Sequence, residues 1–469
     1  MHSTTEKDAR NLKPATVWQC HEVIDALAVE IVQLRGQMTV LQERLKLDSR
    51  NSSKPPSSDG PGGGNRAQRR ASERRRGAQK GHTGSFRALM DASEVDRVVE
   101  CPLPPVCECG APVRSEGKPL RHQVFDVPPV KPQVDEYRLY SGSCTGCGKS
   151  HRSALPAGVP RGQIGPRALA HIGVLGTRYH LTQLKTRDLL AQMLGMNFSV
   201  GAISQAHGLL AAALKTPVAQ AAATLSTASV LHMDETHYPR EGLVSGNWVW
   251  GAVQPKLAVF SILPSRARYV IQDLIGLTPQ GVIVSDRYAA YAYLDVNRRQ
   301  VCWAHLLRDF TRIAQRGGHS GRIGRRLLAL GYVMFRWRER GKSTAGQIEP
   351  LQRRVRQALE RGVQAGCRRT ANTCANLLKL WPALWGFITH PGVEPTNNAA
   401  EQALRAIVLK RKISGPTRSR RGDEFIARGF SAYESCRRQG HDLLDYLHRA
   451  VTAWIDKATP PSLLPQPSG

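Results

Sequence analysis

The sequence predicts a multidomain α+β protein, and three observations carry that expectation. First, the apolar residues Ala228, Val230, Leu231 and Met233 run into Asp234, as in a buried strand that delivers a carboxylate to its end. Second, the pattern recurs 52 positions later, where Gly281-Val282-Ile283-Val284-Ser285 ends on Asp286. Third, residues 165–226 and 315–390 on either side read as helices. Adjacent carboxylates repel, so an aspartate pair on one sheet is costly unless a divalent cation neutralises it. Either Asp alone reads as a cap for the segment after it. The two together, with Glu401 further on, favour metal-assisted chemistry on an anionic substrate.

Composition agrees. A chain of 469 residues holds several domains, and its 66 Lys and Arg against 37 Asp and Glu give a formal net charge of +29. That charge favours a polyanionic partner, nucleic acid first, with an anionic membrane surface as the alternative. No apolar run approaches the roughly 18 to 20 residues of a spanning helix. Residues 1–13 are polar and lack the apolar centre of a signal peptide, so a cytoplasmic protein is expected. Of ten cysteines, several cluster between Cys101 and Cys147, which in a reducing compartment suggests metal more than disulfides.

In order along the chain, a polar tail (1–21) precedes Ile24, Leu27, Ile31, Leu34, Met38, Leu41 and Leu45, spaced in steps of three and four. This predicts a coiled-coil helix over 22–47. A helix packed on its own protein has the same spacing, but the polar flanks offer no internal partner and favour self-association. Asn51 to Gly60, with Pro55 and Pro56, cannot continue the helix. Residues 48–97 read as a disordered basic linker. Between Arg66 and Arg87 it has eight basic residues, including Arg66, Arg69, Arg70, Arg74, Arg75 and Arg76, against Glu73 alone. Such an arm reads either as a solvated linker or, given its one-sided charge, as a phosphate contact giving affinity and salt dependence without sequence choice.

Residues 98–156 predict a small zinc-binding domain. Cys144-Thr145-Gly146-Cys147-Gly148 is a metal knuckle, and Cys107-Glu108-Cys109-Gly110 is a less usual one. One closed, structural zinc on Cys107, Cys109, Cys144 and Cys147 is expected in preference to unligated thiols, with Cys101 or His151 as substitutes for Cys107. Residues 121–140 alternate in part, as in a small β-ribbon. The helical region over 160–228 contains a helix to Leu194, a turn at Gly195 and a second helix capped by Ser199, which is the order of a DNA-binding helix-turn-helix and of many plain helical hairpins.

Beyond Asp234, residues 248–253 and 257–262 form a hairpin around Gln254-Pro255-Lys256. A helix (267–274), the strand ending at Asp286, a further helix and a strand (300–302) follow. Three antiparallel strands, helix, strand, helix, strand is the order of a ribonuclease H-like α/β catalytic core, here with its first part at 229–313. Residues 314–394 read as a helical insertion, 395–440 as the second part of the core, and 441–469 as a C-terminal helix and tail. The second part opens with Asn397, read as the cap of a helix carrying Glu401. Glu394, Asp423 and Glu424 compete as the third carboxylate, but Glu401 alone sits in the first turns of a capped helix, whose positive end favours an anion. Residues 405–421 hold seven basic residues and no acid, among them Arg405, Lys410, Arg411 and Lys412. His305 and Arg308 lie one helical turn apart and are candidates to contact DNA or to serve structure.

Taken together, these strings resemble the large transposase of the insertion sequence 66 family, a DDE transposase. The resemblance covers nearly the whole chain. It rests on the heptad helix, Asn51-Ser52-Ser53-Lys54-Pro55-Pro56-Ser57-Ser58-Asp59, Gly77-Ala78-Gln79-Lys80-Gly81-His82, the paired cysteines, His232-Met233-Asp234-Glu235-Thr236, Ser285-Asp286-Arg287-Tyr288, Cys302-Trp303-Ala304-His305 and Asn397-Asn398-Ala399-Ala400-Glu401-Gln402-Ala403-Leu404-Arg405. Two departures stand out: the first Cys pair has one intervening residue where the family usually has two, and Gln402 stands where the family often has Arg. The resemblance implies that Asp234, Asp286 and Glu401 hold two Mg²⁺ ions, one activating water and later a DNA 3′-hydroxyl, the other stabilising the leaving oxygen. It implies nicking at the ends of the element, strand transfer into target DNA, a homo-oligomer on the bacterial nucleoid, and room for accessory proteins of the same element. Two other classes compete. A decayed copy would bind DNA without chemistry, against which stand the three carboxylates and the full-length look of the chain. A ribonuclease H-like nuclease acting on RNA or repair junctions would not need the coiled coil and zinc module.

Overall fold

The computed structural model describes residues 87–243, 246–341 and 344–465, together with Glu30, Ile31, Leu34 and Met38. Those four are helical, and Ile31, Leu34 and Met38 are about half exposed. The rest of the expected heptad seam, and the arm residues Arg66, Arg69, Arg70, Arg74, Arg75 and Arg76, lie outside the described residues.

Residues 87–165 are largely irregular and exposed. Strands β1 (Ser141–Ser143) and β2 (Ser150–Arg152) pair antiparallel, with Gly142 opposite His151. The ribbon expected over 121–140 does not form. Pro128, Pro129 and Pro132 remove backbone donors there, and Val124, Val127 and Val134 face solvent with no partner surface.

Four helices follow: α1 (Pro166–Thr177), α2 (Gln183–Leu194), α3 (Val200–Ala213) and α4 (Lys215–Ala223). The Thr182 hydroxyl accepts from the Lys185 amide at the start of α2, which ends at Gly195 with φ of 64°. The Ser199 hydroxyl accepts from the Ala202 amide at the start of α3. Helix, glycine turn, helix is therefore the local structure. Yet α3 buries Ile203, Ala206, His207 and Leu210, leaves only Gly201 and Gln205 fully exposed, and carries no basic residue.

The central sheet holds β3 (Val230–Tyr238), β4 (Asn247–Val253), β5 (Ala258–Leu263), β6 (Val282–Ser285) and β7 (Arg299–Val301), in the order β5-β4-β3-β6-β7. The first three are antiparallel, and β6 and β7 add parallel to β3. Helix α5 (Arg268–Ile275) links β5 to β6 as expected. The helix expected between β6 and β7 is realised as two short 3₁₀ turns, Ala289–Tyr293 and Val296–Arg298.

After β7 come α6 (Trp303–Ala314), α7 (Gly318–Glu339), α8 (Ala345–Val363), α9 (Arg368–Lys379) and the four-residue α10 (Trp381–Leu384) and α11 (Gly386–Thr389). They build their own core on β6 and β7, in which Val282, Val284, Val301 and Trp303 meet Leu327, Met334, Leu351, Leu359 and Leu384. The Trp303 indole donates to the Leu384 carbonyl at 2.7 Å, closing the inserted helices onto the sheet. Finally α12 (Asn398–Ser414), α13 (Arg420–Gln439) and α14 (Leu443–Ile455) join α1 to α5 and β3 to β5 in a second core. Helix α13 covers the edge strand β5: Ser431 and Ser435 accept from the amides of Phe260 and Ala258 at 2.8 and 3.1 Å. An otherwise open sheet edge is thereby satisfied.

Candidate active site at the carboxyl ends of β3 and β6

Strands β3 and β6 pair with Val230 opposite Val282, Leu231 opposite Ile283 and His232 opposite Val284, a constant offset of 52 residues. Asp234 and Asp286 each follow two residues after the last of these pairs, and the Asp286 charge acts on the Asp234 carboxyl. Cross-strand from Asp234 lies Gly251, where a Cβ would stand 3.3 Å from the Leu404 side chain of α12. The missing side chain lets α12 approach the Asp234 face of the sheet closely.

Helix α12 is aligned by the residue before it. Asn397 is fully buried at the N-cap position, but its side chain does not cap the helix as the sequence suggested. Instead its amide donates to the Met233 carbonyl at 2.7 Å, its Oδ1 meets His232 Nδ1 at 3.2 Å, and its backbone N–H donates to the Cys302 sulfur at 3.2 Å. One side chain thus locks α12 to β3, one residue ahead of Asp234, while its backbone reaches the β7–α6 junction. Glu401 follows in the first turn of α12 and turns toward α6: its carboxylate oxygens lie 3.5 Å from His305 Nδ1 and 3.9 Å from Arg308. Its ionic neighbours are these two residues, not Arg405, which is exposed. The competing carboxylates are engaged elsewhere: Glu394 with Arg338, Asp423 with Arg240, and Glu424 with Arg420 and Arg428.

The site is crowded with negative charge. Burial first, and then the carboxylates of Glu235, Asp286 and Glu401, push the Asp234 carboxyl well above the usual range. The Asp286 Oδ1 accepts from the Tyr288 amide at 2.8 Å, and buried Arg299 donates to the Asp286 carbonyl at 2.8 Å, fixing the turn that presents the carboxylate. A cleft of about 290 Å³ beside Asp286 is lined by Arg266, Arg287, Tyr288, His305, Arg308, Asp309 and Arg312. Its arginines surround the carboxylates with positive charge suited to phosphate oxygens.

Glu235 was not singled out by its sequence, though it adjoins Asp234. Its side chain is 1% exposed and pairs with Arg266 at 2.6 Å, while its other oxygen accepts from the Tyr291 hydroxyl at 3.0 Å. Arg266 in turn lies 3.8 Å over the Tyr288 ring and 4.9 Å from the Trp248 ring. No local motif links residues 31 positions apart, so only the fold reveals this brace.

The basic residues of α12 divide. Arg405 and Lys412 are exposed. Arg411 reaches the Thr236 hydroxyl at 3.4 Å and the His237 carbonyl. Lys410 is buried: it donates to the Leu181 carbonyl at 2.6 Å, and burial lowers its ammonium to about 8. Its ammonium is therefore spent on holding α12 against the α1–α2 connection and is not offered to DNA.

Both cysteine knuckles are formed. The Gly110 amide donates to the Cys107 carbonyl and the Gly148 amide to the Cys144 carbonyl, at 2.9 and 2.8 Å, with both glycines at positive φ. Cys107, Cys109, Cys144 and Cys147 are exposed. Their four sulfurs do not converge. Among the described residues, the one group of three metal-ligating side chains with donor atoms within 4.8 Å of one another is Cys302, His305 and Glu401.

Comparison with known proteins places the chain in a family. The model of the Transposase IS66 family matches residues 161–424, which include all three carboxylates. Residues 3–88 match a family of unknown function (DUF6444). An uncharacterized protein of Sinorhizobium fredii, y4hP, is 24% identical over 396 residues, covering 74% of this chain and 70% of the relative. A second from the same organism, y4qI, is 26% identical over 247 residues, covering 46% of this chain and 45% of the relative, so the chain spans under half of that protein's length.

Proposed function

The chain belongs to the IS66 family of transposases, and from that premise we propose that it cleaves DNA at the ends of an insertion sequence and joins the freed strand to target DNA. Membership implies transposition, and with it DNA as partner. No described helix is long and apolar enough to cross a membrane. The observation that carries the chemistry is the register of β3 and β6, with Asp234 and Asp286 each two residues past its last pair, opposite a helix that brings Glu401. Three antiparallel strands extended by two parallel ones support reading the sheet as a ribonuclease H-like core interrupted by α7 to α11.

The donor set suits a hard divalent cation. Three carboxylates offer oxygen ligands, and the Asp234 carboxyl is raised by burial first and then by neighbouring carboxylates whose repulsion a cation relieves. When bound, Mg²⁺ supplies charge neutralisation at the phosphoryl group and an acidified water. The chain's own residues do the positioning. Arg308 and Arg312 of the cleft meet the scissile phosphate beside Asp286, while Arg266 is held by Glu235 and Arg287 by Asp309; Arg299 and the Tyr288 amide fix the Asp286 turn. The Glu235–Arg266 pair keeps the next residue of β3 from rotating. Such electrostatic preorganisation is the main lever available for phosphoryl transfer. Among the α12 residues, Arg405 and Lys412 are the surface contacts for DNA in this reading, and the arm from Arg66 to Arg76 adds non-specific affinity. The Cys-Gly turns at Cys107–Cys109 and Cys144–Cys147 support one structural zinc in residues 98–156, which would draw together sulfurs that stand apart, and helix pair α2–α3 is given no part in reading bases.

The test is Glu401→Gln. The neutral, near-isosteric side chain should abolish nicking of a labelled duplex carrying the element's end in Mg²⁺, with folding and end binding retained. Cleavage within a few-fold of the parent would remove Glu401 from the site.

A further inference from the structure

Cys302 and His305 occupy the N-cap and third positions of α6, so a Cys-x-x-His pair shares one face of the first turn. Glu401 faces them from α12. Three features of this cluster go beyond the carboxylate site. The donor atoms of Cys302, His305 and Glu401 all lie within 4.8 Å of one another. His305 Nδ1 and Glu401 Oε1 are buried, point at each other, and make no hydrogen bond. Their separation is 3.5 Å, too long for a good hydrogen bond but matching two ligands of one tetrahedral ion with metal–ligand bonds of about 2.0–2.2 Å. The Cys302 sulfur is fully buried, accepts the backbone N–H of Asn397 at 3.2 Å, and has its thiol pushed up to about 11 by burial, so it becomes a thiolate only with a bound cation.

We propose that Cys302, His305 and Glu401 form a metal site of their own, selective for a zinc-class ion over magnesium. Thiolate and imidazole are soft or borderline ligands, and Mg²⁺ does not favour them. Three protein ligands leave a fourth position open to water or to a substrate oxygen. Binding has a defined proton balance. Arg308 donates to His305 Nε2 at 3.2 Å, and because arginine only donates, Nε2 is the acceptor and Nδ1 carries the ring proton. A metal on Nδ1 moves that proton to Nε2, where Arg308 no longer has an acceptor, and the Cys302 thiol proton leaves to solvent. Loading the site therefore releases one proton and frees Arg308. The binding site stands independently of the transposition reading. Its consequence rests on that reading: a soft ion here takes a Glu401 oxygen from the Asp234–Asp286 pair, so zinc opposes the magnesium-dependent reaction.

Cobalt(II) tests the site in the full-length protein, because a thiolate ligand gives a charge-transfer absorption that carboxylates cannot. Knuckle thiols also bind cobalt, so the readout is the difference between parent and Cys302→Ser, taken as they stand and again with Cys144→Ser and Cys147→Ser in both. The expected result is loss of one thiolate's absorption in Cys302→Ser, and at least tenfold weaker binding of one cobalt equivalent in both Cys302→Ser and Glu401→Gln. Arg308→Ala, which removes a competing hydrogen bond and a neighbouring cation, should bind cobalt several-fold more tightly, a change that a packing role for Cys302 does not produce. Identical cobalt spectra and titrations in parent and a folded Cys302→Ser would overturn the proposal. Should Cys302→Ser fail to fold, Arg308→Ala decides: unchanged or weaker cobalt binding overturns the site.

Discussion

The side-chain amide of Asn397 donates to the backbone carbonyl of Met233 at 2.7 Å, across 164 residues of sequence. This bond connects the two halves of the site, since Met233 precedes Asp234 and Asn397 opens the helix that carries Glu401. Asn397→Ala leaves the Met233 carbonyl and His232 Nδ1 buried without partners, at about 1–3 kcal/mol each. We expect urea unfolding to show a loss of roughly 2–4 kcal/mol, and DNA nicking to fall by more than the unfolded fraction accounts for. Activity that tracks only the folded fraction would reduce Asn397 to packing.

The Glu235–Arg266 pair makes an asymmetric prediction. Arg266→Ala strands a carboxylate that is 1% exposed, whereas Arg266 itself is partly open to solvent. Removing one partner of a buried pair costs about 3–5 kcal/mol, and partial exposure places this one nearer 2. Glu235→Gln keeps an oxygen for the Tyr291 hydroxyl and removes the charge, so it should be milder. Thermal melts of the two variants decide: equal shifts would mean that the charge itself is unimportant.

His207 supplies an acid-sensitive element. It is buried and stacked on Phe425 at 3.8 Å, and burial, helped by Lys410 and Arg421, lowers its imidazole to about 3. The unfolded chain binds this proton near pH 6.5, so the folded state carries fewer protons across the interval. Stability is full above pH 6.5 and is lost as pH falls toward 3, at up to about 1.4 kcal/mol per pH unit. His207→Leu should flatten that slope, read as the difference in denaturation midpoint between parent and variant from pH 7 to pH 4. Parallel slopes would show that His207 does not carry the acid response.

Zinc content is the check on residues 98–156. Cys144→Ser with Cys147→Ser should lose about one bound metal and loosen that segment toward proteolysis, with the central sheet untouched, because binding and local folding are coupled in such modules. Protein purified without chelator and free of metal at these cysteines would refute the module.

Much of the core was legible in the sequence because strands announce themselves by local pattern. The recurrence 52 residues apart that suggested an aspartate pair is the register offset of β3 and β6. The end of α2 and the start of α3 followed from Gly195 and Ser199, whose effects are local. Long-range side-chain choices were not legible. Asn397 reads as a cap and spends its amide on another strand. Lys410 reads as a DNA contact and is buried, because composition reports charge but not direction. The alternation over 121–140 suggested pairing that its three prolines prevent. The soft ligand cluster at Cys302 was present as a string, but its third member lies 96 residues beyond His305.

The insertion between α6 and α12 has a consequence for the order of assembly. Asp234 and Asp286 belong to strands that pair over short stretches of chain, whereas Glu401 arrives only after α7 to α11 have been made and packed on β6 and β7. The stretch between Asp286 and Glu401 is not a free loop, because α7 to α11 pack on β6 and β7 and so return α12 to the sheet. During synthesis, a chain ending before Asn397 has a finished aspartate pair but exposes the Met233 carbonyl and His232 and lacks the third carboxylate. In the proposed reading, the three-carboxylate set is therefore a property of the completed fold rather than of the sheet that displays the first two acids.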